Sequence, residues 1–397
     1  MEWKSDNLEN LLDAIIDYRG KTPTKTSVGI PLVTAKIIKN GVINEFNEFI
    51  AEEDYDRWMV RGFPKPGDVV LTTEAPLGEV AQLDERKIAL AQRVVCLRGK
   101  SNILDNTYLK YYFLSNYGKK KLKSRESGTT VTGIKQSELR QVEVRYPSFE
   151  NQKRIASILS SLDDKIAVNR RICENLEAQA QALFKNWFVD FAPFKDGKFV
   201  ESELGLIPEG WRVVSLAELM DYSGGSQPPA SEFIDEEREG YVRFVQIRDY
   251  ATDSHITYIP ESKKNKLCDV KDIMIARYGV SLGRICYGLK GAYNVALAKV
   301  FPTKDYYLEF LRCYLNTMEF YKGINMKGNR AVQAGFNKSD IQSFKLPFPN
   351  DESIVSCFND ICSTLFEKRL SNEQESRRLA TLRDTLLPKL MSGEIKI

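Results

Sequence analysis

Histidine is nearly absent: the chain has 397 residues and one histidine, His255. A Ser-His-Asp arrangement, a histidine acid–base pair and a histidine-based metal site are therefore poorly supplied. His255 itself, in ATDSHITYIP, reads as an ordinary polar residue at a strand edge. Seven cysteines occur, no two of them in a CxxC pair. An odd number at irregular spacing argues against a disulfide framework and against zinc, and leaves single buried thiols. No metal ligand set is expected. No stretch approaches the ~18 consecutive apolar residues of a membrane helix. The opening MEWKSDNLEN carries acids and no apolar run, unlike a secretory leader, so a cytoplasmic location is expected. Also missing are GxxxxGK[ST], a GxGxxG after a strand, HExxH, GxSxG and the [DN]PP[YF] tetrapeptide of an adenine methyltransferase. Their absence removes the usual motor, dinucleotide, zinc-protease, hydrolase and methyl-transfer machinery, so the chain is read as non-catalytic. Lys and Arg total 57 against 54 Asp and Glu, a net charge of +3. Any affinity for nucleic acid must come from local clustering.

What is present is a repeat with a period of about 200 residues. Both halves open with a tryptophan and a leucine-rich turn, WKSDNLENLLDAIIDYRGKTP and WRVVSLAELMDYSGGSQPP, which pairs Trp3 with Trp211 and Leu8 with Leu216. GIPLVTAKIIKNGVI is followed in the second half by YVRFVQIRDYATDSHITYI, and GDVVLTTEAPLGEV by KDIMIARYGVSLGRI. In the latter match Asp68 stands opposite Asp272, and Gly78 opposite Gly283. IALAQRVVCL answers YNVALAKVFP, and TYLKYYFLSNYGKKKL answers YYLEFLRCYLNTMEFYKGI. TGIKQSELRQVEVRYP answers AGFNKSDIQSFKLPFP, with Gly133 opposite Gly335 and Pro147 opposite Pro349. Each match is weak alone; six in one order are strong.

Within each repeat, residues 1–150 and 208–350 read as short strands punctuated by Gly and Pro with one or two helices. Residues 151–192 are helical, with apolar steps of three and four at Ile155, Leu159, Leu162, Leu176 and Leu183, and with Asn169 in a heptad seam as a register device. Residues 193–207 read as a linker, and 351–397 as a second helical region carrying Ile354, Ile361, Leu382 and Leu386. Pro388 predicts a kink or an end near the last turn. Matching stripes at equal repeat positions predict that the two helices pair within one chain, antiparallel if the repeats obey a two-fold relation, in preference to a homodimeric coiled coil. A ~40-residue helix spans ~60 Å, somewhat under two turns of B-DNA at ~34–36 Å per turn. The expected fold class is α+β: two repeated globular domains separated by a pair of long, coiled-coil-like antiparallel helices.

The best basic cluster, YGKKKLKSRESGTTVTG, supplies Lys119, Lys120, Lys121, Lys123, Arg125 and Thr129, with Lys135 just beyond. Its counterpart, KGINMKGNRAVQAG, supplies Lys322, Lys327, Asn329, Arg330 and Gln333. Cations suit phosphates, and Asn, Gln and Arg suit base edges; a solvated helix end is the plainer reading of either run. Loops that differ between the repeats set Arg19, Lys21 and Thr24 against Gln227 and Ser231, Lys36 against Arg248, and Thr73 and Glu74 against Arg277 and Tyr278. Two readers of different sequences would need such a contrast, and ordinary loop drift also produces it. Tyr108, Tyr111, Tyr112 and Phe113, answered by Tyr307 and Phe310, read as core packing rather than base stacking. The acids Asp68, Glu74 and Glu79 are scattered, and Asp68 reads as a turn residue rather than a metal ligand.

The chain resembles the specificity subunit of type I restriction–modification systems over essentially its whole length. The resemblance lies in DYRGKTP and YSGGSQPP, in the GDVVLTT and KDIMIAR strands, in the GxKxS and GxNxS stretches, in QKRIASILSSLDDKIAVNRRICENLEAQAQALFKNWFVDF, and in the closing LRDTLLPKLMSGEI. It implies two target-recognition domains, each reading half of a split site on double-stranded DNA. The long helices would be a ruler and a platform for two adenine-methyltransferase subunits, joined by restriction subunits. S-adenosylmethionine, ATP and Mg would belong to those partners and no cofactor to this chain. The alternatives are an autonomous two-domain DNA-binding protein and a metal-dependent nuclease.

Overall fold

Alternating β-branched runs closed by glycine turns build the same arrangement twice. A computed structural model describes residues 2–18, 20–128, 132–328 and 335–397. It divides into two units, Met1–Asn169 with Glu375–Ile397, and Arg170–Gln374.

In the first unit, β1 (Leu12–Asp17), β2 (Val69–Thr72), β3 (Val80–Gln82) and β4 (Val94–Gly99) form an antiparallel sheet in the order β1-β4-β2-β3. In the second, β5 (Met220–Gly224), β6 (Met274–Ala276), β7 (Ile285–Cys286) and β8 (Leu297–Pro302) repeat it as β5-β8-β6-β7. A smaller sheet accompanies each and contains one parallel pair, Leu32 beside Ala89 in the first unit and Phe244 beside Ala292 in the second. A two-stranded ribbon brings each unit's start to its end: Lys4–Asn7 pairs with Glu143–Tyr146, and Trp211–Ser215 with Lys345–Pro349. Strands buried on both faces read as continuous apolar runs, as Val69, Val70 and Leu71 do at 0% exposure. Asp68 and Asp272 have equivalent places: Asp68 pairs with Arg98 at 2.6 Å and Asp272 with Lys299 at 2.6 Å. Both are turn carboxylates held by a cation of the neighbouring strand.

Helices α1 (Asn106–Leu114) and α2 (Asn116–Lys123) start on caps, Asp105 accepting from the Tyr108 amide at 2.8 Å and Ser115 from the Gly118 amide at 3.1 Å. A short α3 (Gln136–Arg140) follows. Their counterparts are α4 (Leu308–Leu315), α5 (Met318–Gly328) and α6 (Lys338–Gln342). Tyr108, Tyr111, Tyr112 and Phe113, like Tyr307 and Phe310, are buried in the two cores, so they pack rather than stack on bases. His255 is exposed in a turn short of the strand Tyr258–Pro260.

The central helix runs Phe149–Phe184 and the C-terminal helix Ser353–Ser392. In the first unit Asp163 accepts from Arg383 at 2.7 Å and Glu375 from Asn169 at 2.7 Å. Rising numbers meet falling ones, so the helices are antiparallel there. In the second unit the thiol of Cys173 donates to the Arg369 carbonyl at 3.6 Å, and Phe188 packs on Phe358 at 5.0 Å, the same sense again. The expected α+β architecture with long antiparallel helices is therefore present.

Three expectations change in detail. Ile361 and Leu382 are 41% and 46% exposed and lie off the seam. The buried positions of the C-terminal helix step by four through Phe358, Cys362, Phe366 and Leu370 rather than by the alternating three and four of a heptad seam. Ile155 is fully buried, but in the core of the first unit, while Leu162 and Leu176 are half-buried and Leu183, Ile354 and Leu386 pack against the unit cores. Pro388 sits within the helix, which ends shortly beyond it at Ser392, and its missing N–H forfeits a single i→i−4 bond there. The stretch 193–207 is not bare linker: Phe199–Ser202 and Gly205–Pro208 form a hairpin, with Gly205 at φ +91° in its turn.

Candidate nucleic-acid interface

Four connections meet at one edge of each unit, and backbone bonds fix where they meet. In the first unit the chain leaves β2 at Thr73, whose amide donates to the Arg93 carbonyl at 3.0 Å and whose carbonyl accepts from the Ile134 amide at 2.9 Å. Glu74 bridges to Gly133, and Gly133 pairs back with Ser127. The loop after α2 therefore lies against the loop after β2. A Cβ on Gly133 would stand 2.9 Å from the Thr73 carbonyl oxygen, closer than side chains come, which explains glycine there. The third connection, following Tyr18, is tied in by Thr22, whose hydroxyl is 3.3 Å from Gln92. The fourth is the segment Ala91–Arg93, whose first amide donates to Val33.

The second unit repeats this. The Arg277 amide donates to the Ala296 carbonyl at 2.9 Å, Tyr278 bridges to Gly335, and the Ser226 amide donates to the Tyr293 carbonyl. A Cβ on Gly335 would come 2.8 Å from the Tyr278 ring. The glycine pair of the repeat thus marks one close approach made twice.

The side chains at these edges differ. Glu74 and Arg93 form an ion pair at 2.9 Å, both substantially exposed. In the second unit the guanidinium of Arg277 lies over the Tyr278 ring, 5.0 Å from its centre. By backbone bonding the counterpart of Arg93 is Ala296, so the repeat gives no sign of a charged group at this place.

Lys119, Lys120 and Lys123 are exposed on α2 and have no carboxylate partner among the described residues. Lys121 is paired with Glu143, whose carboxylate raises its pKa, and Arg125 with Glu138 at 2.9 Å. Lys21, Lys36, Lys135 and Gln227 are exposed. Arg248 is exposed and leans on Asp249 at 3.8 Å, while Lys327 lies over Phe344 at 5.4 Å. Thr73 is the exception: it is 2% exposed, because its backbone is bonded on both sides and its side chain faces inward. Thr73 therefore offers a ligand no side chain. Arg19, Thr129, Asn329, Arg330 and Gln333 lie outside the described residues. Among the described residues no group of three or more His, Cys, Asp or Glu is placed to hold a metal ion, and no helix is long and apolar enough to cross a membrane.

The type I restriction modification DNA specificity domain family matches residues 2–178 and again 208–375, once for each repeat. The chain belongs to this family of specificity subunits. Among its relatives, the type I restriction enzyme MjaIX specificity subunit of Methanocaldococcus jannaschii is 31% identical over 387 residues, covering 93% of this chain and 87% of that subunit. The type I restriction enzyme HindI specificity subunit of Haemophilus influenzae is 26% identical over 318 residues, 63% of this chain and 68% of that one. The crystal structure of the S subunit of a type I restriction–modification system from M. genitalium shares the fold, with a TM-score of 0.62 at 17% identity over 98% of this chain and 96% of that one. Sequence specificity toward DNA is the family's role, and the duplicated edge is where this chain presents polar side chains that differ between its two halves.

Proposed function

We propose that this specificity subunit reads a bipartite, asymmetric target in double-stranded DNA, one half-site per unit. It brings two adenine-methyltransferase subunits and the restriction subunits to that target. The observation that carries this reading is one sheet topology used twice with different side chains at the equivalent edge: an acid–arginine pair, Glu74 with Arg93, in one unit and an arginine on a tyrosine, Arg277 with Tyr278, in the other. A common scaffold with unlike polar tips suits two unlike half-sites. The exposed lysines of α2 supply phosphate contacts, and partners closing around the duplex supply the rest of the charge that a +3 chain lacks. The chain performs no covalent step in this reading. S-adenosylmethionine, ATP and Mg are bound by the partners, and the complex works in the cytoplasm.

Modified-base mapping tests this in cells expressing the chain with its methyltransferase partner. N6-methyladenine in one split, asymmetric motif, lost when the chain is omitted, is the expected result. Methylation that does not depend on the chain would reject it, and tight specific binding by the chain alone would favour an autonomous DNA-binding protein.

The long helices set the spacer in this reading. A heptad inserted into each adds about 10 Å, or roughly three base pairs. The mapped spacer should lengthen by that amount, and an unchanged spacer would exclude the ruler.

A further inference from the structure

Thr73 and Arg277 occupy one backbone position. Each follows the second strand of its sheet, donates its amide across to the neighbouring connection, and precedes a residue bridged to a glycine, Gly133 or Gly335. In the first unit this position holds a small buried hydroxyl. In the second it holds a half-buried guanidinium in a prepared seat. A Cβ on Gly224 would lie 2.4 Å from Nη1 of Arg277, so the guanidinium occupies the space a side chain there would take. The Tyr278 ring lies under the guanidinium. Among the described residues no carboxylate pairs with Arg277, and its Nε is buried without a hydrogen-bond acceptor.

A guanidinium held this way keeps its place with a buried Nε donor unspent, which is unfavourable for that group, and with no carboxylate among the described residues taking up its Nη donors. Exposed, long-stemmed lysines suit phosphates at any sequence. A planar fork fixed against a ring suits the adjacent O6 and N7 acceptors of guanine in the major groove. At the corresponding edge of the first unit Arg93 is instead paired with Glu74. We infer that Arg277 is the guanine-reading side chain of the second unit and that Gly224 and Tyr278 position it.

This assignment rests on the reading of the chain as a bipartite DNA reader, and the test separates the two. Wild-type chain with its methyltransferase partner is mapped first. A map without a split motif overturns the underlying reading, and the assignment with it. Given a split motif, Arg277→Lys and Arg277→Ala are mapped in the same way. Relative methylation of sites lacking one guanine in the second half-site should rise about 10- to 100-fold, with the first half-site read as before. Lysine keeps the charge but loses the fork. An Arg277→Lys map with the wild-type motif, or equal loss at every site, would mark a phosphate contact or a structural role and overturn the assignment. A probe that leaves the protein intact covers a folding failure. The wild-type complex should bind a duplex carrying 7-deazaguanine at that position about tenfold more weakly than guanine. Equal binding at every guanine of the second half-site overturns the assignment.

Discussion

Removal of Glu375–Ile397 is expected to unfold the first unit, although the deleted residues lie more than 200 positions along the chain from that unit's last strand. Leu387, Leu390 and Met391 are 9%, 1% and 7% exposed and share one core with Leu8, Leu97 and Tyr108. Gly393, at φ +79°, closes onto Trp3, where a Cβ would meet Nε1 at 2.6 Å. Arg383 reaches Asp163, which also accepts from the Tyr111 hydroxyl at 2.6 Å, so the segment completes a polar cluster as well. Truncating one buried leucine costs about 2–5 kcal/mol, against a typical total of ~5–15 kcal/mol for a domain. Losing three buried side chains together therefore consumes most of the stability. Leu390→Ala alone should lower the unit's unfolding free energy by about 2–5 kcal/mol. Tryptophan fluorescence in urea reads the outcome, since Trp3 and Trp58 report on the first unit and Trp187 and Trp211 on the second. A truncated chain with two unshifted transitions would show that the segment is an appendage.

That dependence was only half legible in the sequence. The duplication was plain because scaffold positions carry local signals: β-branched runs, turn acids such as Asp68 and Asp272, and the glycines Gly133 and Gly335 that a close approach requires. The helices were plain from their stripes. Which stripe residue is buried was not. Ile361 and Leu382 satisfy a heptad as well as Cys362 and Phe366 satisfy a four-residue step, and only packing decides. The interface was less legible still. Thr73 looked like a loop tip, yet a carbonyl and an amide from distant segments bond its backbone and turn the side chain inward. Arg93 sits one residue before a strand and gained its role from Glu74, nineteen positions earlier. Contacts of that kind belong to topology, and no local pattern encodes them.

The same applies to a buried ion pair that supports strand β6 of the second unit. Glu309 and Arg312 on α4 are 3% and 4% exposed. Arg312 donates from Nε to Glu309 at 2.9 Å and from Nη2 to the Lys271 carbonyl at 2.7 Å, and it stacks on Phe366 at 3.6 Å. Lys271 lies in the turn that leads into β6, and Arg277 follows directly after that strand, so the pair anchors the strand that delivers the proposed reader. Arg312→Met leaves a carboxylate buried without its cation and is expected to destabilise the unit by about 3–5 kcal/mol. Adding Glu309→Leu should recover most of the loss, because a buried pair can be exchanged for apolar side chains at little net cost. The pH dependence has a definite sign. Burial already raises the Glu177 carboxyl above its ordinary 4.5, and the charge of Arg312 opposes the rise. Without Arg312 the folded state holds that proton more tightly than the unfolded chain does. The stability deficit of Arg312→Met should therefore shrink as pH falls from neutrality through the raised value toward about 4.5. Urea unfolding of both variants at neutral pH and near pH 5 separates these effects. A double variant no more stable than Arg312→Met would show that the guanidinium matters through Lys271 and Phe366 rather than through its charge partner.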